Sequence, residues 1–353
     1  MRFAFGAGGT GGHIIPALAL ADELSLQGHE CIFIGNKNSM EERLALAHKY
    51  TFLTIKVQKL YRKLSPRNLL FPYLLAGSIL ESRRHLSSNK IDGVFTTGGF
   101  VAGPVALAAI SLKIPCFLHE SNSYPGLTTR YLAKYLSRLY ISFEDTRKYL
   151  KKGELRNFGI PILKQSGSRA FDLSEIAFEK GKKTLLITGG SQGSLAINSV
   201  IASVITVLLE DGWQILWQTG RNTYAEFYPL NKDRKGLYIF DFHPRLAAMM
   251  QISDLAITRA GAMTIAELED ARLPAILIPL PTAADNHQYY NALAQKNKGV
   301  AELLVQSELG AQTLLALVKS LSLENMKEKL DTLPDNTAVK DIVQDILNYY
   351  KEI

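Results

Sequence analysis

The sequence predicts an α/β protein built from two doubly wound domains, and three observations predict it. Short apolar runs of strand composition alternate with segments of helical spacing along the whole chain, the pattern of parallel sheets covered on both faces. A length of 353 residues exceeds what one ordinary core organises. The series also restarts: the stretch Gly6-Ala7-Gly8-Gly9-Thr10-Gly11-Gly12-His13, after the first apolar run, has a counterpart in Gly189-Gly190-Ser191-Gln192-Gly193-Ser194 halfway along. Both halves are expected to be Rossmann-like. Ligands sit beyond the carboxyl ends of such strands, so the two domains are expected to face each other across a cleft lined by glycine turns.

In the first half, strands are expected at Arg2–Phe5, Cys31–Ile34, Phe52–Val57, Gly93–Thr97, Cys116–His119 and Leu139–Ser142, a six-stranded unit. A helix is expected over Ile14–Gln27, with Pro16 in its first turn and Gly28 just past its end. A third glycine turn, Thr97-Gly98-Gly99-Phe100-Val101-Ala102-Gly103-Pro104, follows the fourth strand. After Gly159-Ile160-Pro161 the chain turns polar through Ser166-Gly167-Ser168, which sets the domains at residues 1–161 and 162–353, the last helix being able to pack back on the first domain. The second half carries strands at Thr184–Thr188, Gln214–Gln218, Leu237–Phe240, Leu255–Thr258, Ala275–Ile278 and Val300–Leu303, and a helix from about Leu195.

Composition narrows the class. The net charge of +7 is uneven: residues 1–163 hold 21 Lys and Arg against 11 Asp and Glu, the remainder 19 against 22, so the first half is expected to meet something anionic. No stretch has the make-up of a signal peptide. The longest apolar run, Leu69 to Leu80, is too short for a membrane span and contains Pro72, so a soluble or peripheral protein is expected. Cys31 and Cys116 lie singly in strand-like runs, as buried reduced thiols of a cytoplasmic protein would.

Five glycines among residues 6–13 let the backbone approach a ligand closely, and the helix start that follows favours negative charge, so phosphate chemistry is expected there. The stretch also satisfies G-x-G-x-x-G, but a nicotinamide site wants an acid at the end of the second strand, and that strand runs into Gly35-Asn36-Lys37. No D-x-D motif occurs, so neither a metal nor another cofactor is expected.

The three glycine turns, His119-Glu120-Ser121-Asn122 with Pro125-Gly126-Leu127-Thr128, the run Arg259-Ala260-Gly261-Ala262-Met263-Thr264-Ile265-Ala266-Glu267, and Gln288 with Asn291-Ala292 together resemble the MurG family over nearly the whole chain. The resemblance implies a GT-B fold and a hexosyltransferase that moves N-acetylglucosamine, with inversion, from UDP-N-acetylglucosamine to the muramyl C4 hydroxyl of lipid I. The product is lipid II for peptidoglycan. It implies His13 as the base and Thr10, Gly11 and Gly12 close to the transferring centre and the acceptor diphosphate. It implies Asn122 on the amino sugar, Ser191 on the pyrophosphate, the main chain of His243 on uracil, Ala262, Met263, Thr264, Ile265 and Ala266 along the nucleotide, Glu267 on the ribose, and Gln288 on sugar hydroxyls. Gly159-Ile160-Pro161-Ile162-Leu163 departs from the family's Gly-Asn-Pro-Val-Arg, so an arginine that reaches the ligand is missing, with Lys164 the nearest candidate to replace it.

A lipid acceptor gives the basic first half a purpose. Residues 56–86 interleave Lys56, Lys59, Arg62, Lys63, Arg67, Arg83 and Arg84 with Leu60, Tyr61, Leu64, Leu69, Leu70, Phe71, Tyr73, Leu74, Leu75 and Ile79, against the single acid Glu81. This composition suits the cytoplasmic face of the inner membrane and its anionic lipids; a core helix with a solvated basic face is the alternative for Leu74 to Leu80. Nucleic acid is not expected, because the stretch belongs to no nucleic-acid motif. A UDP-N-acetylglucosamine epimerase of the same fold, another UDP-sugar transferase with a lipid acceptor, a nicotinamide oxidoreductase and a membrane scaffold are the competing functions.

Overall fold

A computed structural model describes residues 1–58, 69–163, 171–232 and 234–352. In the first sheet, β1 (Arg2–Gly6), β2 (Glu30–Gly35), β3 (Thr51–Thr54), β4 (Gly93–Thr96), β5 (Cys116–Glu120), β6 (Arg138–Ile141) and β7 (Leu155–Asn157) lie in the order β3-β2-β1-β4-β5-β6-β7. In the second, β8 (Thr184–Thr188), β9 (Gln214–Gln218), β10 (Leu237–Phe240), β11 (Leu255–Thr258), β12 (Ala275–Leu277) and β13 (Ala301–Leu303) lie in the order β10-β9-β8-β11-β12-β13. All pairs are parallel. Strand order reverses between β1 and β4 and again between β8 and β11, the switch points at which doubly wound sheets bind ligands. Met1–Lys164 with Asn336–Ile353 form one compact unit and Gln165–Asp335 the other.

The expected six strands of the first unit are seven. Leu155-Arg156-Asn157 pairs only with β6 as the sheet edge and is half exposed, so it lacks the apolar run that marks a strand buried on both faces. The third strand stops at Thr54 rather than Val57. Beyond Gly35 there is no strand left to pair with, and the Asn36 side chain takes over, its Oδ1 accepting from Val57 N (2.8 Å) and its Nδ2 donating to Val57 O (2.9 Å). The first helix starts at Gly11, three residues earlier than expected, because His13 N and Ile14 N already donate to Thr10 O at 3.1 and 3.2 Å. Gly11, Gly12 and His13 are therefore its first turn, and Pro16 falls in the second.

Alternation along the central strands assigns the two faces of the first sheet. Phe3, Phe5, Cys31, Phe33, Phe95, Phe117 and Tyr140 point to the face covered by helix Gly11–Leu26 and by the C-terminal helix Ala338–Glu352. Ala4, Ile32, Ile34, Val94, Leu118 and Leu139 point to the face covered by helices Phe71–Ser88 and Gly99–Ser111. Both cysteines are free and buried, and burial pushes each thiol up to about 12, so they act as small apolar side chains.

The C-terminal helix belongs to the first unit by packing and by charge. Ile342, Val343 and Ile346 are fully buried among the aromatics of the sheet. Tyr140 Oη donates to Asp345 (2.9 Å), and Arg138 is held by Glu154 (2.8 Å), Glu352 (2.9 Å) and Asp345 (3.7 Å). Truncating Ile346 to Ala is expected to cost about 2–4 kcal/mol of first-unit stability through the cavity it leaves. Denaturant unfolding read by the first unit's own probes checks this.

Candidate active site

At the first switch point two glycine turns touch. A Cβ on Gly99 (φ +77°) would stand 1.9 Å from Gly8 O, and one on Gly98 (φ +100°) 2.8 Å from His13 Nδ1, so neither position admits a side chain. The contact seats His13. Its Nδ1 lies 2.8 Å from Thr97 O, and Thr97 Oγ1 donates back to His13 O at 2.5 Å. A carbonyl only accepts, so Nδ1 carries the proton and Nε2 is the basic nitrogen of the neutral ring. Thr10 is exposed and Gly11, Gly12 and His13 are partly exposed, at a helix start with no acidic residue and no side-chain cap.

Buried carboxylates brace the loops around His13. Glu41, from helix Met40–Ala47, lies under the first turn, receiving Gly9 N at 3.5 Å and Asn36 N at 3.4 Å. Glu120, at the end of β5, accepts from Asn122 N (3.0 Å), Asn122 Nδ2 (3.2 Å), Gly126 N (2.9 Å) and Thr129 Oγ1 (2.6 Å). Asn122 thus has its amide nitrogen tied to the loop it belongs to. His119 is buried; its Nε2 lies 2.9 Å from Gly159 O and its Nδ1 3.2 Å from Ser121 Oγ. Burial pulls its pKa down to about 4, which makes it a neutral, packed residue rather than a competitor for the role of base.

The second switch point repeats the backbone contact. A Cβ on Gly193 would meet Thr219 O at 2.1 Å, and one on Gly220 would meet Gly193 N at 2.0 Å. Ser194 caps helix Leu195–Glu210, accepting from Ile197 N at 3.4 Å, and Ser191 is exposed on the turn before it. Thr188 Oγ1 accepts from Gly190 N (3.1 Å) and Gln218 Nε2 (3.0 Å), and Gln218 Oε1 accepts from His243 N (3.3 Å). The main chain at His243 is thereby tied to the end of β9. Its Nδ1 accepts from Arg245 N at 3.0 Å, and burial, followed by the Arg245 charge, lowers its pKa.

Helix Ala262–Asp270 follows β11 directly, with Gly261 as its uncapped start and no acid in its first turn. Ala262, Met263 and Thr264 are partly exposed there, whereas Ile265 and Ala266 turn their side chains into the core at 2% and 3% exposure. Glu267 is the outlier. Its carboxylate has no hydrogen-bond or ion-pair partner among the described residues, and burial alone pushes its pKa up to about 7. Helix His287–Lys298 abuts the same turn through Asn291 Nδ2, which donates to Ala260 O at 3.3 Å. On that helix Gln288 Oε1 accepts from Leu280 N at 2.9 Å, leaving its Nε2 without a partner among the described residues.

Sequence reasoning gave no role to Glu41, nor to Thr97 and Arg259 within the motifs it quoted; Arg259 binds Ser194 from the end of β11. A Thr beside two glycines and an Arg opening a small-residue turn were the available signals. Of the basic stretch, Lys59, Leu60, Tyr61, Arg62, Lys63, Leu64 and Arg67 lie outside the described residues, as does Lys164. In the described part, helix Phe71–Ser88 buries Ser78, Ser82 and Leu86, while Tyr73 and Leu80, with Leu69 and Leu70 just before the helix, are exposed. No helix among the described residues is long and apolar enough to cross a membrane.

Two parallel Rossmann-like units, each with a glycine turn at its switch point, make up the GT-B fold of glycosyltransferases. Residues 3–141 match the glycosyltransferase family 28 N-terminal domain and residues 184–346 its C-terminal domain. The UDP-N-acetylglucosamine–N-acetylmuramyl-(pentapeptide) pyrophosphoryl-undecaprenol N-acetylglucosamine transferase of Flavobacterium psychrophilum is 33% identical, covering 98% of this chain and 97% of its own length. The enzyme of that name from Halothermothrix orenii is 36% identical over 91% of this chain and 90% of its own. The crystal structure of Acinetobacter baumannii MurG superposes with a TM-score of 0.80 at 28% identity, covering 98% of this chain and 99% of that one. The chain belongs to glycosyltransferase family 28, in the branch of the MurG transferases.

The Gly8–Gly99 contact generates a direct prediction. Gly99→Ala forces the two turns apart and moves the carbonyl that orients His13, so transferase activity is expected to fall by about 10²-fold or more. Nucleotide affinity is expected to hold if the nucleotide binds the other unit. Turnover and a nucleotide titration on the same preparation check both.

Proposed function

We propose that the chain moves N-acetylglucosamine from UDP-N-acetylglucosamine to the muramyl C4 hydroxyl of lipid I, giving lipid II for peptidoglycan synthesis. The observation that carries this reading is Glu267, a carboxylate without a protein partner beside an open helix start and a glycine turn. A ribose diol supplies donors for both its oxygens, and the diphosphate next to it suits the helix start. Ser191 and the N–H groups ahead of helix Leu195–Glu210 bind the diphosphate, and the main chain at His243, seated by Gln218, reads the uracil edge. The main chain of Ala262 to Ala266 lies along the nucleotide. Gln288 Nε2 donates to a sugar hydroxyl while its Oε1 stays on Leu280, and Asn122 meets the amino sugar.

On the first unit, Thr10, Gly11 and Gly12 offer a positive helix start to the acceptor diphosphate. His13 Nε2, made basic by the Nδ1–Thr97 bond, takes the C4 hydroxyl proton as that oxygen attacks the anomeric carbon opposite the leaving group. The new C1–O bond forms, the bond from C1 to the β-phosphate oxygen breaks, and its electron pair leaves with UDP. The anomeric centre inverts. The exposed apolar residues from Leu69 to Leu80 and the basic first half support attachment to the cytoplasmic face of the membrane, where such an acceptor resides.

The deciding experiment supplies labelled UDP-N-acetylglucosamine and a lipid I analogue. A β-linked disaccharide product is expected; free or epimerised sugar, or no reaction, overturns the reading. His13→Ala is expected to lower kcat by about 10²-fold or more with donor affinity nearly unchanged, checked by steady-state kinetics and calorimetry. Donor binding also carries a pH signature. Ribose hydroxyls favour the ionised Glu267, so binding lowers a pKa that stands at about 7 in the free protein and expels a proton. Affinity for UDP-N-acetylglucosamine therefore rises with pH until about 7 and is level above it, whereas Glu267→Gln removes the slope, as calorimetry across that range will read.

A further inference from the structure

Arg259 stands at the carboxyl end of β11, and every partner of its guanidinium among the described residues is neutral. Nη1 donates to the carbonyl oxygens of Ile278 (3.1 Å) and Pro279 (3.2 Å), and Nη2 donates to Ser194 Oγ (2.6 Å) and Gln306 Oε1 (2.7 Å). The group is half-buried, and no opposite charge offsets the burial that lowers its pKa. Arg138, the comparable buried arginine of the first unit, has three carboxylates around it. A desolvated cation without a counter-ion costs free energy. The surroundings add to the same sign, because helices Leu195–Glu210 and Ala262–Asp270 both begin beside Arg259 and neither has an acid in its first turn.

We infer that Arg259 is a positioning residue for the nucleotide diphosphate: it fixes Ser194 and the loop after β12 behind the glycine turn, and its uncompensated charge is balanced by the phosphates when they arrive. This rests on the donor reading above and names the residue that makes the site select a diphosphate over the bare nucleoside. The leaving UDP gains negative charge as its bond to the sugar breaks, so the same cation favours departure over the bound ground state.

The test compares UDP with uridine, which share every nucleoside contact and differ in the phosphates. Gln306→Glu sets a carboxylate of nearly equal shape on the atom that Arg259 already binds, giving the guanidinium an internal counter-ion. It is expected to weaken UDP by about tenfold or more, leave uridine unchanged, and hold or raise Tm. Arg259→Gln is expected to lower the UDP-to-uridine affinity ratio likewise, and Arg259→Lys to retain most of it. If Arg259→Gln fails to fold, Gln306→Glu decides alone, because it adds an ion pair and removes none. An unchanged ratio in Gln306→Glu, or a loss of both ligands together, overturns the inference. A parent protein that does not prefer UDP to uridine overturns the donor reading before any variant is made, and this inference with it.

Discussion

The carbonyl oxygen of Gly8 occupies the place where residue 99 would carry a Cβ, and Gly193 and Gly220 are pressed together as closely in the second unit. At both switch points main chain rests on main chain, and the chemistry is arranged on top of that contact. In the first unit it brings Thr97 under the imidazole of His13 and so decides which ring nitrogen is basic. In the second it sets Ser194 at a helix start within reach of Arg259. A looser contact would leave the same residues present without fixing their orientation, and orientation is what a transfer between two bound molecules needs.

Buried charge is handled in two ways, and the difference falls at the second switch point. Arg138 and Glu120 have several partners each and hold elements together. Glu267 has no partner, and Arg259 has only neutral ones. The unbalanced pair lies around one switch point, on the β11 strand end and the helix that follows it. A cation such as Arg259, fixed in place before an anion arrives, stabilises it without reorganisation, which is the physical basis of electrostatic catalysis.

Twelve strands were legible as short runs of apolar and β-branched residues. β7 was not, since Leu155-Arg156-Asn157 is three residues long, mostly polar and half exposed. The helix start at Gly11 was hidden by glycines, whose poor helical propensity argues for a turn, while backbone bonds to Thr10 O override it. The glycine turns of the site were readable because close approach admits no other residue. The roles expected of Glu267 and Gln288 rest on the resemblance, as an acid or an amide on a helix says little alone. Glu41 and Arg259 were not readable, because the groups they touch are brought to them by other strands: Gly9 for Glu41, and Ser194, Ile278, Pro279 and Gln306 for Arg259. The inward turn of Ile265 and Ala266 needs the helix's actual phase against the sheet.

Ile342, Val343 and Ile346 complete a core whose other members include Phe3, Phe5 and Phe33. A ribosome releases those aromatics long before Ile342, Val343 and Ile346, because all of Gln165–Asp335 is made in between. Until then helix Gly11–Leu26 roofs only part of that sheet face, and the aromatics that meet Ile342, Val343 and Ile346 stay open to chaperones. Synthesis that stalls after the second unit would leave that unit intact but tethered to an aggregation-prone partner.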